Sequence, residues 1–434
     1  MRILIIAWSW PPIGRIGALR PLGMAREWVN AGHEVHVLTG PGDRGGEYTP
    51  DLIQAAKESG AVVHRAAAPA IARSATLRAA FEMDPADLVE RTTISRWLQI
   101  ASQWKHFPDL QRSWIRPGVA LARRLAASHR FDVVWSTSPP ESVNFIARAV
   151  ARQDLPWIAD FRDPWSDYAL SRWDPLSRWI INGITKRLLS DAAAITTNVE
   201  GCGASLKRAT GRDVVCIRNG FDPVVQSHRK VRDRTLGYFG RVYPTLHRPE
   251  RLWNALRTLR DRGRPWTVEF YTSPGGSGGA RIDVPSDLTE SVRILRPMPR
   301  AAALQSMQEM TALLVLALEP DSGDPSVPGK MFDYIGSRRP ILVCAPAHFE
   351  MRRIVESKTL GLGCWGDAET IQALENIGGF EIDADQRALH TRATSAAAML
   401  KVFSDVLEQR KGLRPGPIDS QLSSSMNSDI TVSR

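Results

Sequence analysis

"RILIIAWSWPPIGRIGALRPLGMAREWVNAGHEVHVLTG", residues 2–40, is the stretch whose reading decides the fold. Residues 3–8, ILIIAW, are a continuous apolar strand, and PPIGRIGALR after them is a Pro/Gly-rich turn. Leu22, Ala25, Trp28 and Val29 then recur at helical spacing, with Gly32 as the stop. HEVHVLTG follows as a second strand. Strand, glycine loop, helix and strand in this order make one βαβ unit of a parallel sheet.

The same order returns in the second half of the chain. TLGYFG (235–240) reads as a strand, RVYPTLHRP as a loop, ERLWNALRTLRDRG as an amphipathic helix ending at Gly263, and WTVEFYTS as a strand. The 434 residues therefore divide into two α/β domains, each opened by its own glycine-containing loop. Between these units, 131–137, 155–161 and 192–198 read as further strands, and DVVCIRNGFDP (213–223) as a strand and turn near the domain crossing. Segments 292–295, 311–318 and 339–346 continue the pattern in the second domain. The expected division is 1–222 and 223–411, with a helical insertion rich in Trp and Arg over 70–130. Residues 385–411 read as one long Ala-rich helix packing back on the first domain, and the Ser-rich 412–434 as a disordered tail.

Composition narrows the function. A hydrophobic content of 43% and a charged content of 24% suffice for two buried cores. The formal net charge of +10 asks for an anionic partner: nucleotide phosphates, an acidic membrane surface or nucleic acid. The basic residues are interspersed with acids and no recognition module is present, which sets nucleic acid aside. The four cysteines form no C-x-x-C pair and have no histidine cluster beside them, so neither a metal site nor a disulfide framework is expected. A reducing, cytoplasmic setting fits that usage. The chain shows no apolar run long enough to span a membrane, and its N-terminus runs straight into a strand without a signal-peptide cleavage site.

In doubly wound sheets ligands bind beyond the carboxyl ends of the strands. That rule selects four places: Gly14 to Arg20, Asp160 to Asp163, Gly240 to Arg248, and Val327 to Asp333. In VPGKMFDYIG, Lys330 falls in the first helical turn, where a cation opposes the helix dipole. Its place makes sense if an anion is bound there, facing Lys330 and the first-turn amides beside Pro328 and Gly329. The bland alternative is an ordinary i,i+3 surface pair of Lys330 with Asp333. Gly240, Arg241, His247 and Arg248 place cations at the mouth of the second domain, and arginine's fork matches phosphate oxygens. In the first domain Gly14 and Gly17 do not match G-x-G-x-x-G, and Arg15 and Arg20 are candidate ligands, Arg20 equally a structural pair. Asp160, Arg162 and Asp163 lie at a strand end, either as acid–base candidates or as a structural Asp–Arg pair, without carboxylates at metal spacing.

Taken together, SWPPIGRIGALRPLGMAREWVNAGHEVHVLT, LPWIADFRDPWSD, IRNGFDP, LGYFGRVYP and VPGKMFDYIGSRRPIL resemble the retaining nucleotide-sugar glycosyltransferases of family 4. The resemblance is to the bacterial branch carrying DFRDPW after a first-domain strand. It implies the GT-B fold: two Rossmann-like domains, an acceptor domain and a donor domain, facing across a cleft. The family's E-x7-E motif places its second acid, the donor-ribose ligand, at Asp333. Its first acid falls at Pro325, with Asp324 one residue out of register. The diphosphate pair maps to Arg241 with His247 or Arg248, the distal phosphate to the 328–330 backbone, and the nucleobase segment to Arg296–Met298.

The implied chemistry is transfer of a sugar from a nucleotide-diphosphate donor to a hydroxyl of a glycan or lipid-linked acceptor, with retention. Such transfer serves bacterial surface polysaccharide synthesis. The nucleotide sugar is a substrate, and no cofactor or metal is expected. Arg241, Arg248, Lys330 and Asp163 are the catalytic candidates. Gly240, His247, Met298, Pro328, Gly329 and Asp333 are the donor-binding set, and Gly14, Arg15, Gly17, Asp160 and Arg162 the acceptor loop. Trp8, Trp10, Arg15 and the 70–130 insertion are candidates for acceptor surface and for contact with an anionic membrane on the inner face of the plasma membrane, but packing of the tryptophans into the core is the favoured reading. Two rival functions remain: a nucleotide-sugar epimerase of the same fold, and a non-catalytic binding protein on it.

Overall fold

The computed structural model describes residues 1–13, 16–42, 50–69, 96–151, 155–167, 173–242, 247–272, 282–317 and 327–410. Gly14, Arg15, the 70–95 part of the insertion, Asp324, Pro325 and the 412–434 tail lie outside the described residues.

The chain forms two compact units. One holds the described residues up to Arg218 together with Arg392–Arg410; the other holds Asn219–Thr391. The first is built on seven parallel strands: β1 (Arg2–Ile6), β2 (Glu34–Thr39), β3 (Val62–Arg65), β4 (Val133–Ser138), β5 (Trp157–Phe161), β6 (Ala194–Thr197) and β7 (Val215–Cys216). Their order across the sheet is β3-β2-β1-β4-β5-β6-β7. The second unit has six: β8 (Thr235–Phe239), β9 (Thr267–Tyr271), β10 (Val292–Leu295), β11 (Ala312–Leu316), β12 (Ile341–Cys344) and β13 (Gly361–Cys364). Their order is β10-β9-β8-β11-β12-β13.

The apolar runs explain the layering. Ile3 to Ile6 are completely buried, as a parallel strand covered by helices on both faces requires. Helix Leu19–Asn30 supplies Trp28, whose ring meets Trp135 of β4 edge-on at 5.2 Å and Phe403 at 5.1 Å. The Trp28 indole N–H donates to the Ala396 carbonyl at 3.1 Å, so helix Arg392–Arg410 seals this core. Any side chain at Gly23 would collide with Arg392, which lies 2.5 Å from where its Cβ would be.

The expected helix 385–411 is two helices, Ala384–Ala388 and Arg392–Arg410. The break has a backbone reason. His390 gives its carbonyl to the Phe221 amide at 3.0 Å, and Thr391 bridges Phe221 as a strand would.

Trp8 and Trp10 are buried and pack into the core rather than forming acceptor surface; Trp8 meets Trp114 edge-on at 5.2 Å. Trp114, Trp135, Trp157, Trp165 and Trp173 are likewise buried, so the tryptophan-rich stretch is mostly core. Asp160 also leaves the acceptor set. Its fully buried carboxylate takes Arg20 bidentately at 2.8 and 2.9 Å, Thr137 at 2.8 Å and Thr196 at 2.9 Å. One charge thus ties β4, β5, β6 and the first helix, with its lone pairs satisfied as burial demands.

Removing one partner of a buried ion pair leaves the other charge unpaired. Asp160→Ala is therefore expected to destabilise the protein by about 3–5 kcal/mol, read as a lowered urea midpoint with little change in slope.

Candidate active site

Strand order reverses between β8 and β11. From β8 the chain steps to β9 and β10, returns to β11 beside β8, and then steps outward to β12 and β13. The connections leave β8 and β11 in opposite directions, which opens a crevice at their carboxyl ends. Gly240 follows β8 at that edge, and the helix Lys330–Gly336 lies between β11 and β12 in the chain.

The sequence places a ring and a cation there together. The Lys330 Nζ lies 3.7 Å from the centroid of the Tyr238 ring. A Cβ on Gly240 would be 3.5 Å from that Nζ. Gly240 has φ of +125°, a conformation that side chains rarely adopt, so glycine is what lets the chain turn beside the lysine. Lys330 is half-buried as a residue, but its ammonium is packed deeply enough that burial pushes its pKa down to about 7. His247 also lies near Tyr238, with ring centroids 6.4 Å apart, and burial together with Lys330 pushes its pKa down to about 3. His247 is thus a neutral imidazole at physiological pH, not a second cation. The Gly329 and Lys330 amides donate to no described residue, and no side chain caps this helix.

A hydroxyl fixes the helix to the strand. The Phe239 amide donates to the Tyr334 hydroxyl at 2.7 Å, and burial raises the Tyr334 pKa beyond the ordinary phenol range. Met331, Phe332, Tyr334 and Ile335 are all buried, leaving Lys330 and Asp333 half-buried on the remaining face.

Lys330 and Asp333 do not pair with each other. Arg300 takes the Asp333 carboxylate with two bonds of 2.6 Å, and among the described residues Lys330 forms no ion pair. Arg241 follows Gly240, is exposed, and gives its carbonyl to the Tyr238 hydroxyl at 2.8 Å. Arg248 has a left-handed backbone with φ of 46° and reaches Glu250 at 3.4 Å. Pro328 and Gly329 precede Lys330 with Gly329 in ordinary helical geometry, and Met298 is half-buried beyond β10. Of the donor candidates, the structure therefore gathers Gly240, His247 and Lys330, with Pro328, Gly329 and Arg241 adjoining them in the chain. Arg248 and Asp333 reach Glu250 and Arg300 instead.

In the first unit, Arg162 is a brace. Its guanidinium donates to the carbonyls of Ser138 at 3.0 Å, Gly17 at 2.7 Å and Pro139, holding the Gly17 loop to the end of β4. Asp163 stands beside it, and burial raises its pKa against the pull of Arg162. Sequence reading missed two acids there. Burial pushes Glu141 up to about 8 and Asp109 up to about 6, with Glu141 holding the Asn144 amide at 2.9 Å and Asp109 the Ser142 hydroxyl at 2.6 Å. No motif marks them, because only the fold brings 109, 141 and 163 together. Among the described residues no group of three or more His, Cys, Asp or Glu side chains is arranged to hold a metal ion.

Comparison with known proteins agrees with this architecture. Residues 18–220 match the family model of the glycosyl transferase 4-like domain. No curated protein matches the sequence. Among solved structures the chain resembles a Staphylococcus aureus TarM variant, crystallised with fondaparinux, alpha-GlcNAc-glycerol and UDP. The TM-score is 0.61 at 10% identity, over 94% of this chain and 100% of the other. It also resembles a glycosyltransferase from Rickettsia africae, with TM-score 0.56, 10% identity and coverage of 94% and 98%. A UDP-GlcNAc 2-epimerase from Methanocaldococcus jannaschii matches with TM-score 0.51, 9% identity and coverage of 93% and 100%. These likenesses, with the two parallel-sheet units, show a GT-B fold.

Tyr334→Phe would leave the buried Phe239 amide without its acceptor. The expected loss is about 1–3 kcal/mol of stability, measured by urea unfolding of the full chain.

Proposed function

We propose that this protein is a retaining glycosyltransferase that moves a sugar from a nucleotide-diphosphate donor to a hydroxyl of a glycan or lipid-linked acceptor in surface polysaccharide synthesis. The observation that carries the reading is the Lys330 ammonium, desolvated against Gly240 and Tyr238 at the switch point of the second sheet, without a carboxylate partner among the described residues. A family match over 18–220 and the GT-B architecture support the same chemistry.

The barrier in such a transfer is charge developing on the leaving diphosphate as the anomeric carbon becomes cation-like. Lys330 and the Gly329 and Lys330 amides are set to receive that charge before reaction, so little reorganisation is needed when it forms. An arriving diphosphate restores the Lys330 proton, because an anion favours the charged amine that burial disfavours. Arg241 stands next to Gly240 to meet the same phosphates. Asp333, drawn to Arg300, offers the donor ribose a carboxylate of fixed orientation in place of the glutamate usual in the family. In this reading the fixed protein cations carry the diphosphate charge without a metal ion. The acceptor hydroxyl enters on the face the leaving group vacates.

Arg241→Ala and Lys330→Met are each expected to lower kcat/KM by on the order of 10²- to 10³-fold, and unchanged turnover at saturating donor would remove that role. A thermal-shift screen against free nucleoside diphosphates tests the donor class, since a ligand bound only by the native state raises Tm. Incubation with donor alone separates the rival: a new sugar epimer without acceptor indicates an epimerase.

The pH dependence has a defined sign. Above about 7 the free enzyme's Lys330 is increasingly neutral, so affinity for a nucleoside diphosphate falls as pH rises through that value. Lys330→Arg, which keeps its charge, flattens the profile between about pH 7 and 9, as titration calorimetry across that range would show.

A further inference from the structure

The helix Pro175–Leu189 of the first unit is built unlike its neighbours. Its inner face is conventional: Ser177, Ile181, Thr185, Leu188 and Leu189 are buried. Its outer stripe is not. Leu176 is 65% exposed and Trp179 is 74% exposed, the largest exposures among the described big apolar side chains of this unit. They sit three residues apart, on one face of the helix. Ile180, half-buried, lies one turn beyond Leu176, and the stripe continues through exposed Gly183 to exposed Lys186 and Arg187. Arg178 flanks it and is also exposed.

Charge sets this surface apart from a chance apolar spot. The segment Pro175–Leu189 carries Arg178, Lys186 and Arg187 and not one acidic residue. The acids at its two ends are already engaged. Asp174 caps the helix, accepting the Leu176 and Ser177 amides at 3.0 and 3.1 Å and the Ser177 hydroxyl at 2.5 Å. Asp191 binds Arg148 at 2.7 Å, with Arg187 contributing only at longer range. Lys186 and Arg187 form no ion pair with a described residue.

The base under the stripe is stiff. Trp104 donates its indole N–H to Ser177 at 3.0 Å and meets Trp173 edge-on at 5.5 Å; Phe107 stacks on Trp104 at 5.3 Å and on Trp165 at 5.3 Å. A tryptophan held outward on such a base does not close on the core. Every tryptophan from Trp114 to Trp173 is buried, whereas Trp179, the next along the chain, is exposed.

We infer that this helix docks the protein on an anionic lipid surface, with Leu176 and Trp179 entering the interface and Arg178, Lys186 and Arg187 meeting lipid headgroups. An exposed tryptophan beside a leucine, on a helix whose charges are all positive, matches an interfacial helix lying flat on a bilayer. A helix of this length spans about 22 Å along that surface. The occupant is a membrane because the cations call for dispersed negative charge while the apolar pair calls for a non-polar interior beside it. This deepens the proposed function by naming the surface on which a lipid-linked acceptor would be presented. It is tested without donor or acceptor, so its failure and that of the transferase reading are distinguishable.

The test is co-sedimentation of the full chain with vesicles of phosphatidylcholine alone or with about one-third phosphatidylglycerol. The expected result is binding only to the anionic vesicles, weakening as salt is raised. Trp179→Ala combined with Leu176→Ser is expected to reduce partitioning on the order of 10-fold. Lys186→Glu with Arg187→Glu is expected to reduce it on the order of 10²-fold. These side chains lie outside the core, so both variants should keep the parent Tm, and the charge pair gives an independent reading should the apolar one fold poorly. The inference is overturned if the parent ignores anionic vesicles or if both variants bind as the parent does. It is equally overturned if Trp179→Ala changes the molecular mass in solution while vesicle binding stays absent, since the stripe would then be a contact between copies of the chain.

Discussion

A parallel sheet whose strands are laid down outward in both directions has to reverse its order once, and at that point two successive connections leave in opposite directions. In the second unit the reversal falls between β8 and β11. Everything assigned to the candidate site descends from it. Gly240 leaves β8 there, and the buried face of the Lys330–Gly336 helix, with the Tyr334 hydroxyl on the Phe239 amide, keeps Lys330 at that edge. The helix has only seven residues, so its own dipole and hydrogen bonds could not hold so exacting a position; its packing does.

The physical character of the site comes from how its charges are distributed. Asp333 lies one helical turn from Lys330 and would neutralise it in an ordinary surface pair. Arg300 takes that carboxylate instead, and the lysine is left against an aromatic face. A ring quadrupole stabilises an ammonium only in part, so its proton is held weakly. His247, neutral and near the same ring, adds no competing charge. The outcome is a cation whose charge is completed by what binds. In the first unit the contrast is sharp: Arg20 and Asp160 complete one another inside the sheet and have nothing left for a ligand.

Local pattern made most of the fold legible. Continuous apolar runs gave both sheets their strands, and the repeated strand–glycine–helix–strand order revealed two units before any contact was known. Lys330 stood out because its charge is wrong for the helix end that carries it. What stayed hidden depends on distance along the chain. Asp160 looked like an acid–base candidate because its partners, Arg20, Thr137 and Thr196, are far from it in sequence. Arg300 gave no sign that it would claim Asp333, and nothing near Glu141 announced a carboxyl titrating near 8. Trp8 closes the apolar run and Trp10 falls in the turn after it, yet both are turned inward. The helix of residues 385–411 breaks because Phe221 needs a backbone partner at 390–391, a demand that helical periodicity cannot register.

The chain leaves the first unit at Arg218, builds the whole second unit, and returns at Arg392. The helix Arg392–Arg410 brings Phe403 onto Trp28, with Met399 and Val402 in the same core, so a segment made early waits for one made far later to cover it. During synthesis the second unit can close while the first still has an open apolar flank. A fragment ending where the glycosyl transferase 4-like match ends, at residue 220, would carry that flank bare. Biogenesis is therefore a matter of chain order as well as of stability: the unit that starts before Arg218 is completed only after the Asn219–Thr391 unit has been made.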